Sequence, residues 1–205
     1  MNDGRLVAFE GVDGAGKSTQ LARLAAELRA RGRTVVETRE PTDGPWGRRI
    51  REMARAGERV APAEELRWFV EDRREHVARV IRPGIAAGSV VLTDRYFLST
   101  VAYQGARGLD PAHLLAEAEA EFPLPDLALV LDVDPAAGLA RVATRGGVAE
   151  PAFEEEAFLA RVVAIFRALD RPYVRHVDAR GAPDAVAAAI AAHVHEALAP
   201  RGTPP

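Results

Sequence analysis

A segment near the start of the chain carries residues suited to binding phosphate. Residues 11–18 have the sequence GVDGAGKS, which matches the pattern G-x-x-x-x-G-K-[ST]. Gly14 and Gly16 allow backbone N–H groups to turn inward without a Cβ clash, and a helix that follows directs the positive end of its dipole at an anion. Lys17 adds a mobile charge for the β- and γ-phosphates of a nucleotide, and Ser18 adds a hydroxyl for Mg²⁺. The segment therefore predicts a nucleoside triphosphate site.

The lysine of this segment makes a chance match improbable. Lys17 is the only lysine in the chain, and every other basic residue among the 27 Lys and Arg is arginine. A glycine turn could match the pattern by accident, but a single lysine falls in such a frame only about once in a few thousand cases. A GTPase also needs a guanine-binding N/T-K-x-D sequence, which would require a second lysine. We expect ATP and Mg²⁺ as cofactors, bound by Gly11, Val12, Asp13, Gly14, Ala15, Gly16, Lys17, Ser18 and Thr19.

The composition excludes several classes of protein. The chain has 205 residues, of which 48% are hydrophobic and 28% are charged, and its formal net charge is −3. The hydrophobic content is too high for a disordered chain, and no stretch approaches the ~18 uncharged apolar residues of a transmembrane helix. The absence of cysteine excludes disulfides and thiolate metal sites. The small negative net charge does not indicate a surface for general nucleic-acid binding. We expect a cytoplasmic protein with no membrane and no nucleic-acid partner.

Short apolar segments alternate with segments of helical periodicity along the chain. The apolar segments predict buried strands at 6–9, 35–36, 90–92, 127–131 and 174–177. The periodic segments predict helices at 18–31, 46–56, 111–121, 136–143, 153–169 and 185–198, and a longer helix that begins at Pro62. This alternation predicts an α/β fold with a five-stranded parallel sheet and helices on both faces. We expect a single domain over residues 1–205, with a frayed tail at 199–205.

A second group of polar residues follows the third predicted strand. Asp94, Arg95 and Tyr96 come at its carboxyl end, and ligands of open α/β sheets bind beyond the carboxyl ends of strands. Asp94 could hold the hydration shell of Mg²⁺, and Arg95 could bind a phosphate in bidentate fashion. The alternative is a structural salt bridge between these two side chains.

Four segments resemble the thymidylate kinase family in order and spacing. They are FEGVDGAGKSTQ at 9–20, TREP at 38–41, F-x-x-x-R-x-x-H at 69–76 and D-R-Y-x-x-S-T-x-A-Y-Q-G at 94–105. The resemblance extends from about residue 5 to residue 198. It implies the P-loop nucleoside monophosphate kinase fold with a short lid, dTMP as the phosphate acceptor, and a homodimer.

The resemblance assigns the base of the acceptor to four residues. Phe69 would stack on the thymine ring, and Arg73, one helical turn later, would hydrogen-bond the edge of the base. Thr100 and Gln104, again four residues apart, would contact the remaining polar edge. Two of these residues also have an ordinary alternative: Phe69 suits the core of an amphipathic helix, and Arg73 lies in a charged run that suits a solvated face.

Three further residues would contact the sugar and the phosphate of the acceptor. By resemblance, Tyr103 would crowd the 2′ position and disfavour ribonucleotides. Asp13 would accept a hydrogen bond from the 3′-hydroxyl, and Arg95 would hold the 5′-phosphate. Simple packing is the alternative for Tyr103, and we expect His76 to be a structural histidine rather than a ligand.

The transferred group must be covered by positive charge, because phosphoryl transfer concentrates negative charge on it. Some family members carry an arginine within the P-loop, but here the variable positions are Gly14 and Ala15. The chain is therefore similar to the members that deliver an arginine from a lid, which we expect at about residues 141–152. Arg145 is the predicted lid arginine, and Arg141 is expected to anchor the lid.

These expectations combine into one activity, the transfer of the ATP γ-phosphoryl group to dTMP. The lid carries Ala143 and Ala152 where related lids have a denser run of arginines. This departure leaves two alternatives: a kinase for another nucleotide or nucleoside, and a catalytically weak nucleotide-binding regulatory paralogue. The predicted catalytic residues are Lys17, Asp94, Arg95 and Arg145, and the predicted metal-binding residues are Ser18 and Asp94.

Overall fold

Five parallel strands form the centre of the protein in a computed structural model, which describes residues 4–144 and 156–199. The strands are β1 (Arg5–Glu10), β2 (Val35–Arg39), β3 (Val90–Asp94), β4 (Leu127–Asp132) and β5 (Val174–Asp178). Their order across the sheet is β2-β3-β1-β4-β5, and every neighbouring pair is parallel. The predicted five-stranded parallel sheet is confirmed.

Helices cover the sheet, since consecutive residues of β1, β3 and β4 are buried on both of its faces. The helices are α1 (Lys17–Ala30), α2 (Pro45–Ala56), α3 (Pro62–His76), α4 (Arg82–Ala86), α5 (Phe97–Ala106), α6 (Pro111–Glu121), α7 (Pro135–Thr144), α8 (Glu156–Ala168) and α9 (Pro183–Ala197). Each helix predicted from periodicity has a counterpart among them. Within the described residues, no helix is long and apolar enough to cross a membrane.

Two helical features differ from the prediction. Helix α5 is not among the predicted helices, because residues such as Val101 and Gly105 have low helix propensity, and burial of most of its side chains stabilises it instead. The helix that begins at Pro62 continues past Pro83 into α4 through a π-helical turn at Val77–Ile81. Pro83 has no N–H to donate, and the wider turn accommodates that loss.

The strand order brings the ends of three strands together. Phe9 near the end of β1 lies beside Asp94 of β3, and Asp94 also lies beside Arg39 at the end of β2. Beyond these ends, the chain continues into Gly11 of the P-loop and into Glu40. The central strands therefore place the predicted phosphate-binding residues at one edge of the sheet.

Part of the predicted lid lies outside the described residues. Helix α7 carries Arg141 and ends at Thr144. Arg145 and residues 146–152 lie outside the described residues, as does the predicted tail from residue 200 onward.

Candidate active site

A cavity of about 660 Å³ opens beyond the carboxyl ends of β1 and β3. The predicted site residues on its wall are Asp13, Gly14, Gly16, Lys17, Ser18, Phe69, Arg73, Asp94, Arg95, Thr100 and Tyr103. Val12 and Ala15 instead turn their side chains into the hydrophobic core, so only their backbone atoms can contact a phosphate. Gly11 and Thr19 do not line the cavity either. The cavity thus joins the predicted donor and acceptor sites.

The P-loop connects β1 to α1 and holds its lysine in place. Its three glycines have φ angles of 130°, 79° and 95°, in the region that favours glycine. Lys17 is only 5% exposed, and its Nζ donates a hydrogen bond to the carbonyl oxygen of Val12 at 3.0 Å. Burial, followed by the nearby Arg95 guanidinium, lowers the pKa of Lys17 from its usual value. A bound phosphate would offset both effects.

The two variable positions of the P-loop have no room for an arginine. A Cβ on Gly14 would lie 2.0 Å from the carbonyl oxygen of Gly138 in α7, and the φ of Gly14 is 79°. Ala15 is 3% exposed and packs in the core. Arg141 of α7 donates hydrogen bonds to the carbonyl oxygens of Gly14 at 3.4 Å and Ala179 at 3.2 Å. This packing leaves no space for a longer side chain at either position, and it holds Arg141 against the P-loop.

The two predicted metal-binding side chains lie together. Ser18 Oγ donates a hydrogen bond to Asp94 Oδ2 at 2.5 Å. A hydroxyl and a carboxylate fit Mg²⁺, which prefers oxygen ligands. The described part of the chain contains no group of three or more His, Asp or Glu side chains that could hold a metal ion. Mg²⁺ would therefore take its other ligands from phosphate oxygens and water.

Arg95 connects the P-loop to α5. Its Nη2 donates to Asp13 Oδ1 at 2.7 Å, and its Nη1 donates to the carbonyl oxygen of Gly11 and to Ser99 Oγ, each at 3.1 Å. Its φ of 71° is unusual for a non-glycine residue, and such strain clusters at active sites. Burial opposes the ionisation of Asp13, but Arg95 and Lys17 prevail and lower the pKa of Asp13 to about 2.

A buried carboxylate lies directly before the P-loop. Glu10 has no exposed surface, and its oxygens accept hydrogen bonds from Ser99 Oγ at 2.5 Å and from the Tyr96 N–H at 3.0 Å. Burial raises the pKa of Glu10 to about 7, although the hydrogen bond from Ser99 and the charge of Arg95 act in the opposite direction. Because Ser99 also contacts Arg95, Glu10 supports that arginine indirectly.

The raised pKa of Glu10 predicts a pH-dependent stability. Its pKa is about 7 in the folded protein and 4.5 ordinarily, so the folded state binds the proton more tightly. Proton binding by Glu10 therefore stabilises the fold. This stabilisation is complete below about pH 4.5 and is lost as the pH rises to about 7, which lowers the free energy of unfolding by about 3 kcal/mol. We expect Glu10→Gln to remove that slope in urea unfolding measured from pH 5 to pH 8. Equal slopes in the two proteins would contradict this assignment.

A buried network holds Arg73 at the cavity wall. Its Nε and Nη2 donate to Glu40 Oε2 at 2.9 and 2.6 Å, and Nη2 also donates to Thr100 Oγ1 at 2.8 Å. His76 lies between Glu40 Oε1 at 2.9 Å and Thr38 Oγ1 at 2.7 Å. Burial opposes ionisation of Glu40, but Arg73 and His76 lower its pKa. Arg73 Nη1 forms no hydrogen bond within the described residues, so it is available to a ligand.

Gln104 lies behind the cavity wall. It has no exposed surface, and its Nε2 donates a hydrogen bond to Glu65 Oε1 at 2.7 Å. Its Oε1 is buried and has no hydrogen-bond partner in the part of the chain that the structure describes. Gln104 is therefore not among the residues that line the cavity. Its contact with the base stays a prediction, and Oε1 is the atom available for it.

Comparison with known proteins decides the family. The model of the thymidylate kinase family matches residues 9–190. The chain belongs to the thymidylate kinase family. The thymidylate kinase of Desulfotalea psychrophila is 44% identical over 197 residues, which cover 96% of this chain and 97% of that protein. Those of Xanthomonas euvesicatoria pv. vesicatoria (47% identical; 97% and 86% covered) and Akkermansia muciniphila (43% identical; 97% and 93% covered) are similar throughout.

This thymidylate kinase site also contains residues that the sequence analysis missed. Glu40 lines the cavity, as do Arg39, Arg51 and Arg55. Arg51 donates hydrogen bonds to two loop carbonyl groups and to Asp43. The four-residue spacing of Arg51 and Arg55 in a predicted helix was the available signal, since it puts them on one face. Glu40 lies in the TREP segment at 38–41, but that segment gave no sign of its partner Arg73, which is 33 residues away.

Proposed function

We propose that this protein transfers the γ-phosphoryl group of ATP to dTMP, producing dTDP and ADP. The observation that carries the proposal is a single cavity that contains both Lys17 of the P-loop and the pair of Phe69 and Arg73. Arg95 spans the two parts of this cavity through its hydrogen bonds to the P-loop and to α5. A domain that only bound ATP would need neither the aromatic side chain nor the buried arginine. Membership of the thymidylate kinase family supports the same activity.

On the donor side, the P-loop holds the triphosphate. Backbone N–H groups of residues 11–18 and the ammonium of Lys17 would bind the β- and γ-phosphates. Ser18 and Asp94 would hold Mg²⁺, which supplies charge neutralisation at these phosphates. The hydrogen bond from Lys17 to the Val12 carbonyl pre-positions the ammonium within the loop.

On the acceptor side, α3 and α5 form the walls of the base site. Phe69 would stack on thymine, and Arg73 would donate Nη1 to the base. Tyr103 would stand against the sugar, with its ring already packed by the Arg95 guanidinium, whose Cζ lies 5.1 Å from the ring centroid. Arg95 would bind the 5′-phosphate, and Asp13 would accept a hydrogen bond from the 3′-hydroxyl.

The reaction needs no covalent intermediate. The acceptor phosphate is already an anionic nucleophile, so the protein has to align the two substrates, exclude water and neutralise charge. Lys17 and Arg95 supply charge from the described residues, and we propose that Arg145 supplies the rest. The homodimer that the resemblance implies also stays a prediction, which light scattering in solution tests.

A substrate panel tests the proposed function. Transfer from ATP would be measured for dTMP, dUMP, dCMP, dGMP, UMP and thymidine with Mg²⁺ present. We expect the highest kcat/KM with dTMP, a lower value with UMP because of Tyr103, and none with thymidine, which lacks the phosphate. A higher kcat/KM with another acceptor would identify a different kinase, and no transfer to any of them would favour a regulatory protein.

The Arg73 network gives a prediction that separates recognition from folding. We expect Arg73→Met to raise the KM for dTMP on the order of 10- to 100-fold, because a buried hydrogen bond to the base is lost. It should also destabilise the fold by about 3–5 kcal/mol, because the buried Glu40 loses its ion pair with the arginine and, among the described residues, keeps only its hydrogen bond with His76. The double variant Arg73→Met with Glu40→Gln should recover much of the stability and none of the affinity. Recovered affinity in that double variant would contradict a role for Arg73 in base binding.

A further inference from the structure

Glu65 and Gln104 form a buried pair behind the wall of the cavity. Neither side chain has exposed surface, and Gln104 Nε2 lies 2.7 Å from Glu65 Oε1. Glu65 lies four residues before Phe69 on α3, and Gln104 lies four residues after Thr100 on α5. The pair therefore extends by one helical turn the facing rows of side chains that line the base site.

Glu65 determines which end of the Gln104 amide faces it. Arg107 forms an ion pair with Glu65 Oε2 through its Nη1, and its Nη2 donates to the carbonyl oxygen of Val60 at 2.7 Å. A carboxylate accepts hydrogen bonds and donates none, so only the NH₂ end of the amide can face Glu65. The carbonyl end is consequently directed away from Glu65. Its Oε1 is the buried atom that has no partner within the described residues.

We propose that Glu65 is a positioning residue that selects the base of the acceptor by fixing the Gln104 amide. The proposal rests on the proposed transfer to dTMP and deepens it. A buried acceptor without a partner costs free energy, and a donor on the base would remove that cost for Oε1. N3 of thymine and of uracil carries a hydrogen and is a donor, whereas N3 of cytosine is an acceptor and would face Oε1 without a hydrogen bond.

Arg73 completes the same pattern. Its Nη1 has no partner within the described residues and can donate to O4 of thymine or uracil, whereas cytosine carries a donating amino group at that position. One acceptor and one donor thus favour 4-oxo pyrimidines over cytosine. The donor is held by Glu40 and the acceptor by Glu65, so two buried carboxylates orient the two groups that contact the base.

Glu65→Gln tests the proposal directly. A glutamine at position 65 can donate as well as accept, so the Gln104 amide becomes free to turn over and present its NH₂ group to the base. We expect the ratio of kcat/KM for dCMP to that for dTMP to rise by about tenfold or more, the effect of one mismatched hydrogen bond. The ratio for dUMP to dTMP should not change, because uracil also carries N3–H. A wild-type dCMP to dTMP ratio in this variant would overturn the proposal.

A neighbouring carboxylate provides the matched control. Glu64 is one residue earlier, and its ion pair with Arg67 on the outer side of α3 is 3.8 Å long. Glu64→Gln removes the same charge from the same turn and should leave both ratios unchanged. In a Gln104→Met background, Glu65→Gln should have no further effect on the dCMP to dTMP ratio. A further effect there would mean that Glu65 acts independently of Gln104 and would contradict the positioning role.

A second variant keeps the test valid where Glu65→Gln does not fold. Arg107→Gln removes the cation that holds Glu65 Oε2, so the carboxylate that faces the Gln104 amide is no longer fixed in place. This variant should therefore also raise the dCMP to dTMP ratio, and thermal unfolding checks that it is folded. An absence of dTMP phosphorylation by the wild-type protein would refute the proposed function. Wild-type turnover of dTMP, with unchanged ratios in the folded variants, would refute only the role of Glu65.

Discussion

Lys17→Met is expected to preserve the fold and to lower kcat for transfer to dTMP by on the order of 10²- to 10³-fold. The ammonium is buried at the start of α1, and Arg95 and Arg141 are the other cations that contact the P-loop among the described residues. Loss of the Lys17 ammonium removes charge stabilisation that matters most in the transition state, when charge develops between the β- and γ-phosphates. Steady-state kinetics with saturating dTMP and ATP measure the effect. Unchanged turnover would mean that this loop does not act in catalysis.

The composition of the chain offers an independent check on Lys17. Because no other lysine exists, an amine-directed reagent can label only Lys17 and the N-terminus. We expect ATP with Mg²⁺ to protect Lys17 and to leave the labelling of the N-terminus unchanged, which serves as the internal control. Circular dichroism and thermal unfolding of Lys17→Met establish that the fold is retained.

Arg145→Ala is expected to lower the rate of phosphoryl transfer by on the order of 10²-fold or more, with a much smaller effect on ATP binding. The P-loop positions that carry an arginine in some relatives are closed here by the carbonyl of Gly138 and by the core around Ala15. The remaining charge must come from elsewhere, and an arginine that acts only in the transition state lowers kcat and kcat/KM together. Single-turnover kinetics at saturating ATP measure the transfer step.

The neighbouring arginines provide the comparison for Arg145. Arg141→Ala should have a smaller effect on transfer, because Arg141 contacts backbone carbonyl groups of the P-loop and of the segment after β5. Arg67→Ala removes an exposed arginine of α3 that does not line the cavity, and it should leave transfer unchanged. A near-wild-type transfer rate in Arg145→Ala would assign the charge to Arg95 or Arg141 instead.

The parts of the site that could be predicted from the sequence are those with a local signal. The P-loop is one continuous segment in which glycine, lysine and serine each have a fixed position, and the apolar runs mark all five strands. Asp94 and Arg95 follow directly from their place at the end of a strand. The four-residue spacing of Phe69 and Arg73 put both on one helix face, and both line the cavity.

The parts that could not be predicted depend on contacts between distant segments. Glu40 lies in the TREP segment and Glu65 in a predicted helix, but the sequence does not show that each is buried and paired with an arginine from another segment. Tertiary packing also makes a helix of α5, against its local propensity. The spacing put Gln104 one turn after Thr100, but it could not predict the hydrogen bond from Gln104 to Glu65, which is 39 residues away.

Transfer from ATP to dTMP is tested most directly by tracing the γ-phosphoryl group itself. The protein would be incubated with Mg²⁺, dTMP and ATP labelled at the γ-phosphate, and the products would be separated. We expect the label to appear in dTDP, with one dTDP formed for each ADP and little free phosphate. Release of the label as free phosphate without dTDP, or ATP binding with no turnover at all, would contradict it.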